Sequence, residues 1–354
     1  MLAAVCWLAT LAGFAADAPG KPPGIAPSPF ISIVPPTPNA RVVVTEDPGA
    51  TRNFEVQPEV VRRMVRDGLL RYTGRATEAE GWRTLVQTQD VVGIKVWAGT
   101  GLGVGTRPAV VEAVVEGLLA AGLPQRNIVI WDKQWSDLRD QGFVALADRL
   151  GVRAVGAQQA GWDADHHYDS SVMGVLGVGD RDFLKPSEPN NDVGRRSYLS
   201  RLVSGELTRI INVTPLLNHN EAGVSGNLFG LSMGAMDNTA RFEVSSARLA
   251  VVVPEICAMP ELGDKVVFNV VDGLICQYLG SRASRLQDAV PLNQLRFSTD
   301  PVALDVLSMH TMERFRENHR VVSRGLTNAL PIYLNATALE LGLSDTNKIQ
   351  VEGP

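Results

Sequence analysis

The chain has 354 residues, enough to bury a core without disulfide or metal staples. With 45% hydrophobic and 20% charged residues, its composition is that of an ordinary globular protein. A formal net charge of −5 and the lack of any long basic run argue against a nucleic acid partner, because neutralising phosphates takes clustered Lys and Arg.

Leu2 to Ala15 is apolar and uncharged, and Ala15-Ala16-Asp17-Ala18 then offers small residues at cleavage spacing. Residues 1–18 therefore read as a secretory signal, too short to cross a bilayer comfortably, although no Lys or Arg precedes the apolar run; a buried N-terminal helix is the alternative. This predicts an exported protein, periplasmic or extracellular, with no stable membrane span after signal removal. Residues 19–39 are rich in proline and poor in charge, the composition of a polyproline-like linker. The fold proper is expected over 40–325, in one piece or as two lobes at about 40–205 and 206–325, followed by an extension over 326–354.

Arg41 to Thr45 is a valine-rich strand candidate, and Pro58 to Tyr72 has helical periodicity with proline suited to the first turn. The β-branched run Val91 to Val96 leads into a loop with alternating glycines (Gly99, Gly101, Gly103, Gly105) and then Thr106-Arg107-Pro108. From Pro108 the residues Val110, Val111, Val114, Val115, Leu118 and Leu119 make one apolar stripe, which Gly122 ends. Asn127 to Trp131 is the next strand, so this stretch reads as a βαβ unit and implies a parallel sheet. A helix over Asp137 to Leu150 and a strand over Val152 to Val155 extend the pattern.

Residues 157–195 lose periodicity and are expected to hold at most short strands. Arg209 to Thr214 resumes a core strand, and a Gly- and Asn-rich loop runs from there to Asn238. A helix over Val244 to Ala258, a strand over Lys265 to Val271 and a long helix over Pro301 to Asn318 complete the pattern, with Asp300 placed to cap the last helix. The fold class is α/β, a mostly parallel sheet flanked by helices. Of the three cysteines, Cys257 and Cys276 lie beyond the signal, both in apolar settings that suit buried thiols, with a disulfide as the alternative. No Cys-x-x-Cys occurs, which makes an iron–sulfur cluster an unsuitable cofactor.

Three segments carry residues suited to chemistry. The glycine loop before Pro108 can bring backbone N–H groups and a helix N-terminus to an anion, with Thr106 beside it and Arg107 as a two-pronged donor; a plain glycine turn with a solvated arginine is the other reading. The run Asn218 to Gly230 follows a strand whose carboxyl end is where ligands gather in open α/β sheets. There His219 is the proton-transfer candidate, with Gly223, Ser225, Gly226 and Asn227 as ligand-binding candidates. Asp272 at a strand end either lines the cleft or makes a turn. Asp163 to Asp169 crowds acidic and histidine side chains, but adjacent histidines rarely share an ion, so a solvated loop is the preferred reading and no metal site is assigned.

In series, Gly93-Ile94-Lys95-Val96, Thr106-Arg107-Pro108, Ile211-Asn212-Val213, His219 with Gly223 to Gly230, Val271-Asp272-Gly273 and Asp300 to Asp305 resemble the domain of unknown function 362 family over roughly residues 40–320. That family has no settled biochemical role; many of its members look exported. Thr106-Arg107-Pro108, and His219 followed by Ala222 to Gly226, are also distantly similar to the N-terminal part of the nickel-pincer lactate racemases. That resemblance implies a ligand-contacting arginine, an acid/base histidine and a cofactor-anchoring lysine ten residues further on. Here that position is Phe229, which speaks against the nickel-pincer cofactor. Two functions follow: an enzyme that uses His219 on a small anionic organic molecule, or a non-catalytic binding protein on the same, degenerate scaffold.

Overall fold

A computed structural model describes residues 39–99, 105–183, 192–280, 285–321 and 325–353. The signal and linker expected before residue 39, and Gly101 and Gly103 of the glycine loop, lie outside the described residues. Strand β1 (Ala40–Glu46) is followed by helices α1 (Pro58–Thr73) and α2 (Glu78–Arg83). The βαβ unit is β2 (Val92–Lys95), α3 (Pro108–Ala120) and β3 (Ile128–Asp132). The single helix expected next is two short ones, α4 (Trp135–Asp140) and α5 (Phe143–Leu150), parted where Gly142 adopts φ +84°. Strand β4 (Arg153–Gly156) comes next.

A hairpin of β5 (Trp162–Val175) and β6 (Val193–Ser200) overturns the expectation of at most short strands between 157 and 195. Most of β5 is only partly buried, so its sequence lacks the apolar alternation that marks a core strand. The Asp163–Asp169 run lies in it as strand rather than loop, with His166 Nδ1 3.0 Å from Asp163 and Asp169 paired to Arg195 at 3.1 Å. The second half holds β7 (Arg209–His219), β8 (Gly223–Val224), α6 (Asn227–Ala235), α7 (Ser246–Cys257), β9 (Val266–Gln277) and β10 (Ala289–Ser298). Helices α8 (Pro301–Asn318) and α9 (Gly325–Ala338) and strand β11 (Ile349–Glu352) close the chain.

Among the described residues the main sheet has nine strands in the order β11-β1-β10-β9-β7-β2-β3-β4, with β8 added to β7. The run β9-β7-β2-β3-β4 is parallel, while β10 is antiparallel to both β9 and β1. Alternate strand residues feed two cores. Ile94, Ile128, Ile130 and Ile211 pack with α1, α2, α3 and α5, while Val129, Trp131 and Ile210 pack with α6, α7, α8 and α9. A sheet buried on both faces in this way produces near-continuous apolar strands. Pro38–Pro354 clusters as one unit, the sheet takes strands from both sides of residue 205, and the residues expected as an extension supply most of α9 and the edge strand β11. Cys257 and Cys276 are free and buried. No helix of the described residues is long and apolar enough to cross a membrane.

Candidate functional site

Helix α6 occupies the stretch expected to be loop, and every one of its residues is buried. Being apolar all round, it shows no amphipathic period in its sequence. Glycines at its start and near its end let it seat: an added Cβ would come within 2.2 Å of Asp305 Oδ1 at Gly226 and 2.4 Å of Lys95 Cε at Gly234.

Gly226 and Asn227, expected as ligand-binding residues of a loop, form the N-terminus of α6, which receives an internal carboxylate. Asp305, on α8 and fully buried, accepts hydrogen bonds from the Asn227 backbone N–H (2.7 Å), the Asn227 amide (2.8 Å) and the Leu228 N–H (3.0 Å). It caps the helix from 78 residues away. Burial pushes the Asp305 carboxyl up to about 7 against the pull of these donors. A Gly226→Ala substitution should displace this carboxylate and lower the melting temperature by about 5 °C or more, as an overpacked core does.

Just before α3 a buried carboxylate again meets a backbone N–H, that of the N-cap residue Arg107. Asp272 accepts from the Arg107 N–H at 2.8 Å, forms an ion pair with its guanidinium at 3.1 Å, and uses its other oxygen on the Leu274 N–H at 3.2 Å. Asp272 lies within β9 rather than at a strand end and is fully buried. Thr106 is a latch between strands: its hydroxyl donates to the Val213 carbonyl at 2.8 Å and accepts from the Trp97 N–H at 2.9 Å. Gly223 adopts φ +79°, and Ser225 is fully buried with its N–H on the Leu217 carbonyl.

His219 ends β7, and 5% of its surface is exposed. Its Nδ1 accepts the backbone N–H groups of Glu221 (3.3 Å) and Ala222 (3.0 Å). With two donors at Nδ1, the neutral ring carries its proton on Nε2. The imidazole lies 4.2 Å, centroid to centroid, from Phe229, which in turn packs 5.8 Å from Trp97. Position 229 thus presents an aromatic ring to the histidine.

Beyond Trp97 lies a pair that motif reading passed over. Lys95, 1% exposed, donates to Asp132 Oδ1 at 2.8 Å and to the Val96 carbonyl at 2.6 Å. Asp132 also accepts the N–H groups of Ala98 (2.7 Å) and Lys133 (2.8 Å), so it anchors the entry to the glycine loop. The signal was available: a lysine within a β-branched strand and an aspartate ending the next strand, at adjacent carboxyl ends of a parallel sheet. Partly buried Lys133, its pKa lowered by desolvation, donates to Thr239, and burial raises nearby Asp237 to about 6. Among the described residues no group of three or more His, Cys, Asp and Glu side chains is placed to hold a metal ion.

The sequence model of the family described as Domain of unknown function (DUF362) matches residues 92–310, more than half of the chain. The chain belongs to this family. The DUF362 match contains Lys95, Arg107, Asp132, His219, Asp272 and Asp305, so both buried carboxylates at helix starts and the histidine loop fall inside the family's own region. No curated protein matches the sequence. A solved structure of a protein from Thermotoga maritima aligns with 10% identity and a TM-score of 0.40, over 77% of this chain and 60% of that one. The chain thus spans less than two thirds of that protein's length.

Proposed function

We propose that this DUF362 chain binds a small anionic organic molecule at the carboxyl edge of its parallel strands, with His219 donating from Nε2. The observation that supports the reading is the pair of backbone donors on Nδ1, which makes Nε2 the donor nitrogen of the neutral ring. Arg107, its charge paired with Asp272, adds a guanidinium as a hydrogen-bonding group on the same edge. Thr106, Gly223, Ser225, Gly226, Asn227 and Asp272 shape that edge, since their polar groups serve the loops and helix ends around it. Forming an imidazolium would set a third N–H against the two at Nδ1, which favours binding over proton shuttling. The protein is in this reading exported, because the apolar run from Leu2 to Ala15 ends in small residues at cleavage spacing; sequencing the mature N-terminus should find it just after Ala18.

The test is a melting-temperature screen of purified protein against carboxylic acids and sugar phosphates. A ligand present at about a hundred times its Kd adds ~2.7 kcal/mol of stability. His219→Ala should abolish the shift while His310→Ala, an exposed position on α8, leaves it intact. Equal shifts in the two variants would remove His219 from the site. Turnover of a hit, lost in His219→Ala, would assign proton transfer instead of binding alone.

A further inference from the structure

A cavity opens between the start of β9 and the first residues of α6. It measures about 310 Å³, and its walls include Leu228 and Leu231 of α6, Asn269 of β9, and the exposed carboxylates Asp264 and Glu340. None of the described residues lining it is basic.

Asn269 gives the cavity its chemical sense. The residue is fully buried, and its amide nitrogen reaches the carbonyls of Ser298 and Thr299 at 3.4 Å each, which fixes the amide orientation. Its oxygen has no hydrogen-bond partner. Asn212, its cross-strand partner on β7, is also fully buried, and its amide oxygen is unpartnered too, although its nitrogen donates to the Asn227 carbonyl at 3.0 Å. An unpartnered buried acceptor costs about 1–3 kcal/mol, and of these two it is Asn269 that lines the cavity. A hydrogen-bond donor bound in the cavity removes the cost at Asn269.

We infer that this cavity binds a small organic cation, a primary ammonium on a short apolar chain. The ammonium supplies N–H donors to the Asn269 amide oxygen, the alkyl chain lies against Leu228 and Leu231, and the carboxylates of Asp264 and Glu340 provide the countercharge. An anion would meet two carboxylates and an acceptor oxygen, so the site discriminates by charge. Glu340 holds a left-handed φ of +61°, where glycine is the favoured residue. Glu340→Gly therefore removes a carboxylate and relaxes the backbone in one step.

The probes are n-butylammonium chloride, sodium butyrate and 1-butanol at matched ionic strength, added to the full chain in calorimetric titration and thermal melts. Butylammonium should bind saturably and raise the melting temperature, butanol should bind more weakly, and butyrate should not bind. The double variant Asp264→Asn/Glu340→Gly should keep or raise the melting temperature of the free protein while weakening butylammonium binding by about fivefold or more. Asn269→Leu should abolish binding; if it does not fold, the double variant decides. His219→Ala should bind butylammonium as the parent does, which separates this site from the anion site. Butyrate binding as well as butylammonium, an unaffected double variant, or no saturable binding, as when the cavity takes up water only, would each overturn the inference.

Discussion

Replacing Asp305 with alanine should destabilise the protein by about 3–5 kcal/mol at pH 5, because two buried backbone N–H groups and an amide lose their only shared acceptor. Helix α6 depends on this carboxylate more than an ordinary helix depends on its cap. It is buried along its whole length, so water cannot replace the lost acceptor. The loss should also depend on pH in a direction opposite to that of most aspartates. An unfolded aspartate titrates near ~3.9, whereas burial raises this one to about 7. Between those values the native state holds more protons than the unfolded chain, so the carboxyl's stabilising contribution is complete below pH ~4 and is lost as pH rises through about 7. Urea unfolding of parent and Asp305→Ala at pH 5 and pH 8 should therefore show the wider stability gap at pH 5, by about 2–4 kcal/mol. A wider gap at pH 8 would mean that the three donors, not burial, set the charge state of Asp305.

Much of the architecture was legible because its signals are local. The apolar stripe from Val110 to Leu119, the Pro108 start and the Gly122 stop gave α3, and the β-branched runs on either side gave the parallel pair β2 and β3. Asp300 and Pro301 marked the first turn of α8, and Asp300 does cap it, accepting the Ala303 N–H at 2.8 Å. What escaped lacks a local signature. Helix α6 has no polar face to betray its period, and the β5–β6 hairpin has too little burial to impose alternation. The ends of β7 and β9 were set too early, since glycine, proline and asparagine within them read as loop although they lie in central, buried strands.

The site divides along the same line. Arg107 and His219 could be picked out as residue types in suggestive loops; Arg107 follows β2, and His219 is the last residue of the neighbouring β7. The occupants of the two helix N-termini could not be read. A glycine-rich entrance with free N–H groups looks the same in sequence whether the anion comes from solvent or from a carboxylate 165 positions further along, as Asp272 does for Arg107. Only the packed structure distinguishes a vacant cradle from a filled one.

The Lys95–Asp132 pair makes a prediction that differs for its two members. Lys95→Met removes a buried cation but leaves Asp132 with two backbone donors, from Ala98 and Lys133, so a cost of about 2–3 kcal/mol is expected. Asp132→Leu leaves those two N–H groups without an acceptor and the lysine with the Val96 carbonyl, and about 4–6 kcal/mol should be lost. An isolated buried ion pair would respond almost symmetrically and would tolerate replacement of both members by apolar residues. Here the double variant Lys95→Met/Asp132→Leu should stay close to Asp132→Leu in stability, because the orphaned backbone donors persist whatever stands at position 95. Lys95→Met/Asp132→Asn, which keeps one acceptor and removes the net charge, should recover about 1–2 kcal/mol relative to Asp132→Leu. Chemical denaturation of the four variants measures the asymmetry directly. Near-equal losses in Lys95→Met and Asp132→Leu would show that the charge pair, rather than the anchoring of Ala98 at the mouth of the glycine loop, is what Asp132 contributes.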